Sequence, residues 1–196
     1  MSNNLEKRTL EGSIEIRKND DGTESRTITG YAAVFDKWSH NLGWFKERMD
    51  KRSFENVDMS NVVATFNHNF DNVLARADSN TLQLEVDERG LKYTFEAPNT
   101  TVGNDLLENV RNGNVKGSSF MFTVAKGGAE WKEGDPDERT ITQVDRLVEL
   151  GPVTNPAYPD TTAAKRSFDE FKQSQEPEKV SVLDLELRYR HIRAKQ

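Results

Sequence analysis

Hydrophobic and polar residues alternate in short runs through most of the chain, which is typical of β-strands because their successive side chains point to opposite faces. Two pairs of runs surround turn residues and predict β-hairpins: residues 13–17 with RTITGYAAVF around Asp21-Gly22, and LQLEV with LKYTFEA around DERG. Further apolar runs predict single strands at 62–66, 73–77, 115–124, 139–144 and 147–153. Most of the first 160 residues are therefore predicted to be strand and turn.

One segment in this region has helical spacing instead. Thr100 or Thr101 can cap a helix, the apolar residues of 106–110 share one face, and Gly113 can end it in the left-handed region. Many short strands with one internal helix predict a mainly β fold with flanking helices. We expect the strands to form a closed or nearly closed antiparallel β-barrel.

The last part of the chain is polar and strongly charged. Residues 163–179 are predicted to be a charged linker that begins with a short helix, following a β-barrel domain at 1–162. The final segment, 180–196, predicts an amphipathic helix, because four apolar residues recur at helical spacing: Val182, Leu185, Tyr189 and Ile192. This stripe needs a partner, either the chain's own domain or another molecule, including a second copy of the chain.

Charge and composition limit the partners that this chain can have. The formal net charge of its 196 residues is -6, which argues against nucleic-acid binding, and the basic residues of 188–195 are too few to reverse that. No apolar run approaches the ~20 residues that span a bilayer, so no membrane association is predicted. The first residues lack the apolar centre of a secretory signal, and we expect a cytoplasmic location.

The residue types present also limit the chemistry. The absence of cysteine excludes disulfides, thiolate zinc sites and a cysteine nucleophile. The three histidines, His40, His68 and His191, do not have metal-site spacing, so neither a metal nor another cofactor is predicted. A hydrolase would then use a carboxylate or a serine activated by histidine. His68, directly after the apolar run VVATF, is the best placed of the three, although an ordinary strand-end histidine fits the same pattern.

Two adjacent serines occur in GNVKGSSFMF. In a strand, Ser118 and Ser119 must point to opposite faces, so at most one of them can lie in a given cleft. The local pattern does not indicate which one.

Four segments, in order over residues of about 10 to 162, resemble the tailed-phage prohead maturation proteases of the Hong Kong 97 type: GYAAVFDKWSHNLGWFKERMDKRSFEN, FNHNFDNVLARADS, NGNVKGSSFMF and LVELGPVTNPAYPDT. The resemblance implies a serine endopeptidase with the fold of herpesvirus assembly proteases. It implies that His68 is the general base and Ser119, directly before the aromatic residue, is the nucleophile. Glu149 matches the acidic third member, and Asp145 is the alternative for that role.

The resemblance also implies the substrates. They would be the scaffolding segment of the major capsid protein and the protease itself, inside the phage procapsid in the host cytoplasm. The segment 163–179 is then a predicted self-cleavage region, because exposed linkers enter protease clefts readily. The alternative is a non-catalytic capsid assembly scaffold protein that retains the protease barrel.

Overall fold

The computed structural model describes residues 5–11, 14–154 and 162–175. These ranges contain twelve strands and two helices, in the order β1 (Glu6–Glu11), β2 (Ile14–Lys18), β3 (Glu24–Val34), β4 (Phe45–Met49), β5 (Val63–Phe66), β6 (Asn69–Arg76), β7 (Leu82–Val86), β8 (Gly90–Glu96), α1 (Thr101–Arg111), β9 (Gly117–Val124), β10 (Ala129–Lys132), β11 (Asp137–Ile141), β12 (Val144–Val153) and α2 (Thr162–Gln175).

The described strands form three separate open sheets. The largest has five strands in the order β1-β9-β12-β5-β6, and the others have the orders β10-β11-β4 and β2-β3-β8-β7. Apolar side chains from all three sheets and from α1 form one buried core. In the five-stranded sheet, β9 and β12 pair with each other, and β1 and β5 lie on their outer sides.

The chain is mainly β as predicted, but the prediction of a closed or nearly closed antiparallel β-barrel is wrong. Closure requires the outermost strands of a sheet to pair with each other, whereas β1 and β6 remain the two edges of the largest sheet. Two pairings, β11 with β4 and β12 with β5, are parallel. Alternation and turn residues determine hairpin neighbours, but the pairing of strands that are distant in sequence depends on tertiary packing.

Several local predictions are confirmed. The two hairpins are β2–β3 and β7–β8, and α1 begins after Thr100, whose side chain accepts a hydrogen bond from the backbone N–H of Gly103. The predicted break between the last two strands lies elsewhere, because β11 ends at Ile141 and β12 runs unbroken, with two register shifts, from Val144 to Val153. Three short strands, β1, β4 and β10, were not predicted.

Helix α2 covers the first part of the segment predicted as a charged linker, and the exposed pair of Lys165 and Asp169 joins successive turns of it. The rest of that linker and the predicted amphipathic helix at 180–196 lie outside the described residues. Neither helix in the described ranges is long and apolar enough to cross a bilayer.

Candidate active site

His68 lies in the tight turn between β5 and β6. Phe66 pairs with Asn69, so Asn67 and His68 form a two-residue hairpin loop, and both have positive φ, 56° and 59°. The hairpin turns that match the twist of their strands require this conformation. Asn and His adopt it more readily than most residues other than glycine.

This turn is attached to the end of β12. The backbone N–H of Asn67 donates to the carbonyl oxygen of Pro152 at 3.0 Å, and the Asn67 side-chain oxygen accepts from the backbone N–H of Thr154 at 2.9 Å. Because β12 also carries Glu149, these bonds hold the histidine turn in register with the strand of the carboxylate.

The structure brings together the three residues that the sequence predicted as catalytic. His68 Nε2 lies 2.7 Å from Ser119 Oγ, and His68 Nδ1 lies 2.6 Å from Glu149 Oε2. Ser119 and Glu149 lie on the paired strands β9 and β12, and both are fully buried. An ionised carboxylate only accepts hydrogen bonds, so this contact assigns the hydrogen to Nδ1 and leaves Nε2 able to accept the serine proton.

The second oxygen of Glu149 has a partner that sequence reasoning missed. Thr65 Oγ1 donates to Glu149 Oε1 at 2.6 Å, and Thr65 is fully buried on β5, which runs parallel to β12. The available signal was a hydroxyl in the otherwise apolar run VVATF. The Glu149 carboxylate is therefore bonded through both oxygens and its orientation is determined.

Close packing of β5 against β12 depends on Gly151. A Cβ at this position would lie 2.1 Å from the Thr65 carbonyl oxygen, closer than any real contact. Gly151 also pairs with Ser119 across β9 and β12. The absence of a side chain here allows Thr65 and Glu149 to lie within hydrogen-bonding distance.

The other candidates lie elsewhere. Asp145 is exposed near the start of β12 and accepts a hydrogen bond from Thr123 Oγ1 at 3.1 Å. His40 lines a groove beside β1, and His191 lies outside the described residues. No group of three or more His, Cys, Asp or Glu that could hold a metal ion occurs in the described part of the chain.

Ser118 and Ser119 point to opposite faces of β9, as predicted. Ser118 Oγ lies 2.6 Å from the Tyr93 hydroxyl, and both side chains are fully buried. Burial raises the pKa of Tyr93, so its hydroxyl keeps its proton. Ser118 therefore belongs to a hydrogen bond of the core.

Ser119 also contacts β1. Its hydroxyl is 2.8 Å from the backbone carbonyl oxygen of Arg8, to which it can donate, and 3.4 Å from Thr9 Oγ1. The serine is 0% exposed.

Strand β1 also carries two buried charged residues, Glu6 and Arg8. The Arg8 guanidinium bonds both carboxylate oxygens of Glu47 at 2.6 and 2.9 Å, and the Glu6 carboxylate bonds the Arg139 guanidinium at 2.7 and 2.9 Å. Burial favours the neutral forms, but the Glu47 and Glu6 charges raise the pKa of Arg8 above its ordinary value. Arg8 and Arg139 likewise outweigh burial and hold the pKa of Glu47 below its usual range.

A serine hydroxyl bonded to a histidine that is bonded in turn to a buried carboxylate is the arrangement that serine hydrolases use. Residues 12–174 match the family described as Caudovirus prohead serine protease. The chain belongs to this family: it is a serine peptidase of phage prohead maturation that interacts with capsid proteins in the prohead.

None of the curated proteins matches the sequence. Among solved structures, the chain is similar to the bacteriophage T4 capsid assembly protease, with 12% sequence identity over 77% of this chain and 98% of that chain and a TM-score of 0.46.

Proposed function

We propose that Ser119 is the nucleophile of this peptidase, His68 its general base and Glu149 the residue that orients the histidine. The observation that carries the proposal is the continuous chain of two short hydrogen bonds, 2.7 Å from Ser119 to His68 and 2.6 Å from His68 to Glu149. We further propose that the substrates are the scaffolding segment of the major capsid protein and the protease's own chain.

In the first half of the reaction, Ser119 Oγ bonds to the carbonyl carbon of the scissile peptide while its proton passes to His68 Nε2. Glu149, bonded to Nδ1–H, stabilises the imidazolium that forms. When the tetrahedral intermediate collapses, the C–N bond breaks and His68 gives the proton to the leaving amine. The products of this half-reaction are an acyl-enzyme at Ser119 and a fragment with a new amino terminus.

In the second half, water takes the place of the amine. His68 accepts a proton from the water as its oxygen attacks the ester carbon, and the bond to Ser119 Oγ breaks as that proton returns to the serine. The carboxylate fragment is then released and the starting protonation state is restored.

The proposal is tested by co-expressing the full chain with its major capsid protein and measuring processing of both by mass spectrometry. Ser119→Ala is expected to lower the rate of cleavage about 10⁴-fold or more, because no nucleophile remains. The matched control is Ser118→Ala, which removes the neighbouring hydroxyl from the opposite face of β9 and is expected to retain processing.

Two results contradict the proposal. Continued trimming by Ser119→Ala would mean that another residue is the nucleophile. An unprocessed capsid protein in the presence of the wild-type chain would instead favour a non-catalytic assembly role.

A further inference from the structure

The candidate nucleophile is covered by the chain's own strand β1. Thr9 pairs with Ser119 in the antiparallel register of β1 and β9, and no part of Ser119 is exposed. A substrate therefore cannot reach Ser119 Oγ while β1 remains paired with β9.

Strand β1 also presents a peptide bond to the serine. The Arg8 carbonyl oxygen lies 2.8 Å from Ser119 Oγ, which places its carbonyl carbon about 3 to 4 Å from the nucleophile. Reacting atoms approach to a similar separation, roughly 3 to 3.5 Å, before attack, but here Ser119 Oγ lies on the oxygen side of the carbonyl, as the hydrogen bond requires, and is not in line for attack on the carbon. The one hydroxyl proton of Ser119 has two acceptors in reach, His68 Nε2 at 2.7 Å and this oxygen at 2.8 Å, so β1 competes with His68 for the proton.

Strand β1 occupies the edge of the sheet that an extended substrate would use. It is the outermost strand next to β9, and without it the backbone groups of β9 would be free to pair with an added strand. The family match begins at residue 12, after β1 has ended. The strand therefore lies outside the matched region and covers its proposed nucleophile.

The side chains of β1 show what this edge binds. Glu47 bonds the guanidinium of Arg8, the residue whose carbonyl oxygen faces Ser119. Arg139 bonds the carboxylate of Glu6, two residues earlier in β1. If β1 leaves, Glu47 and Arg139 still bond each other at 2.8 Å. The pair is then neutral overall and offers one anionic and one cationic group to a new strand.

Space is also available for residues that follow the cut. A groove of about 510 Å³ runs beside Thr9, Leu10 and Glu11, and Trp38 and Leu42 line it as well. These three β1 residues follow the Arg8 carbonyl in the direction of a leaving fragment.

We propose that β1 is a tethered strand that occupies the place of the substrate. Glu47 and Arg139 then select extended peptides in which an acidic residue lies two positions before a basic residue, and the peptide is cut after the basic residue. This inference rests on the proposed function, because it takes Ser119 as the nucleophile. The capsid substrate must displace β1 and pair with β9 in the same register.

Access to Ser119 is tested on the full chain with a fluorophosphonate, which phosphonylates an activated serine oxygen with loss of fluoride. Arg8→Ala removes the guanidinium that anchors β1 to Glu47 and is expected to accelerate labelling of Ser119 about tenfold or more. Lys7→Ala, the control, removes a cation of the same strand that lies outside the cluster and is expected to label like the wild type.

A second variant keeps the test valid if Arg8→Ala misfolds. Thr9→Pro removes a strand N–H without changing charge and is expected to accelerate labelling as well. Circular dichroism establishes that each variant is folded. Equal labelling of wild type, Arg8→Ala and Thr9→Pro would overturn the tethered strand while leaving the nucleophile assignment intact.

Selectivity is tested by incubating Arg8→Ala with two peptides, LEKRTLEG from the chain's own sequence and the charge-exchanged LRKETLEG. We expect cleavage of the first between Arg and Thr, at least about tenfold faster than any cleavage of the second. Equal rates, or a preference for the exchanged peptide, would overturn the assignment of Glu47 and Arg139. No labelling of any variant, together with no capsid processing, would overturn the proposed function itself.

Discussion

Single residues determine how the carboxylate meets the histidine. Thr65 and His68 bond different oxygens of Glu149, each at 2.6 Å, so the carboxylate has little freedom to rotate. Gly151 makes this possible, because any side chain there would overlap the backbone of Thr65. The geometry of the candidate site thus depends on residues that take no direct part in the proposed chemistry.

Thr65→Val is expected to lower kcat for capsid cleavage about 10- to 100-fold and to leave KM nearly unchanged. The variant keeps the shape of the side chain and removes a hydrogen bond to a charged group, worth about 1.5 to 3 kcal/mol. Thr65→Ser, which retains the hydroxyl, is the matched control and should restore most of the activity. An unchanged kcat in Thr65→Val would show that Glu149 keeps its orientation without this bond.

Gly151→Ala is expected to lower the free energy of unfolding by about 1 to 3 kcal/mol or more, because its Cβ would force β5 away from β12. Gly113→Ala is the comparison, since Gly113 has positive φ, 70°, but open space around its Cβ position. The free energy of unfolding of that variant should fall only by the strain of alanine in the left-handed conformation, about 1 to 2 kcal/mol. Urea denaturation measures both. Equal losses would mean that β5 accommodates the methyl group.

Ser118→Ala is expected to lower the free energy of unfolding by about 1 to 3 kcal/mol, since it leaves the buried Tyr93 hydroxyl without its serine partner. Adding Tyr93→Phe removes the other hydroxyl and should recover part of the loss. Thermal melts of the two single variants and the double variant test this coupling. Strictly additive losses would argue that the two hydroxyls do not stabilise each other.

Among the elements, β1 and β4 differ from ordinary strands because their inward positions carry charge. Glu6 and Arg8 on β1 and Glu47 on β4 are all buried. A pattern based on hydrophobic alternation treats such positions as solvent-facing, which explains why neither strand was predicted. The charges compensate one another only after folding, when Arg139 of β11 completes the cluster.

Acid is expected to weaken this cluster. The pKa of Glu47 is lowered in the folded chain, so its contribution to stability is present above its unfolded pKa of about 4.3 and is lost as the pH falls through the lower folded value. The groups facing it are the cations of Arg8 and Arg139, with the Glu6 carboxylate bonded to both. The stability difference between wild type and Glu47→Gln should therefore shrink between about pH 5 and pH 2. A difference that stays constant would contradict this assignment.

In the molecule as a whole, self-cleavage is predicted for the charged segment 163–179. Most of this segment is α2, which ends at Gln175. A protease that binds its substrate as an added strand needs an extended chain, so a helix would first have to unwind. Within this segment the proposed pattern, an acidic residue two positions before a basic residue, occurs at Glu170-Phe171-Lys172. We therefore expect the cut to follow Lys172, after the last turn of α2 has unwound.

Mass spectrometry of the chain after co-expression tests this site, with Ser119→Ala as the uncut control. The expected product is an amino-terminal fragment that ends at Lys172. A major product that ends elsewhere in the segment, or a chain that stays intact while the capsid protein is processed, would contradict it.

Local sequence patterns were sufficient to predict the mainly β composition, the hairpins and the capped helix. Through the resemblance, they also indicated the candidate residues His68, Ser119 and Glu149. These predictions depend on neighbouring residues, on turn chemistry or on short motifs, all of which can be read along the chain.

Only the tertiary structure decided how the strands are distributed over three open sheets, which carboxylate contacts His68, and that β1 covers Ser119. Each of these depends on residues far apart in sequence: Arg8 meets Ser119, and Thr65 meets Glu149. Such contacts involve backbone groups and compensating charges. The hydrophobic periodicity of the sequence does not indicate where these groups will meet. They form only when packing of the whole core brings the strands together.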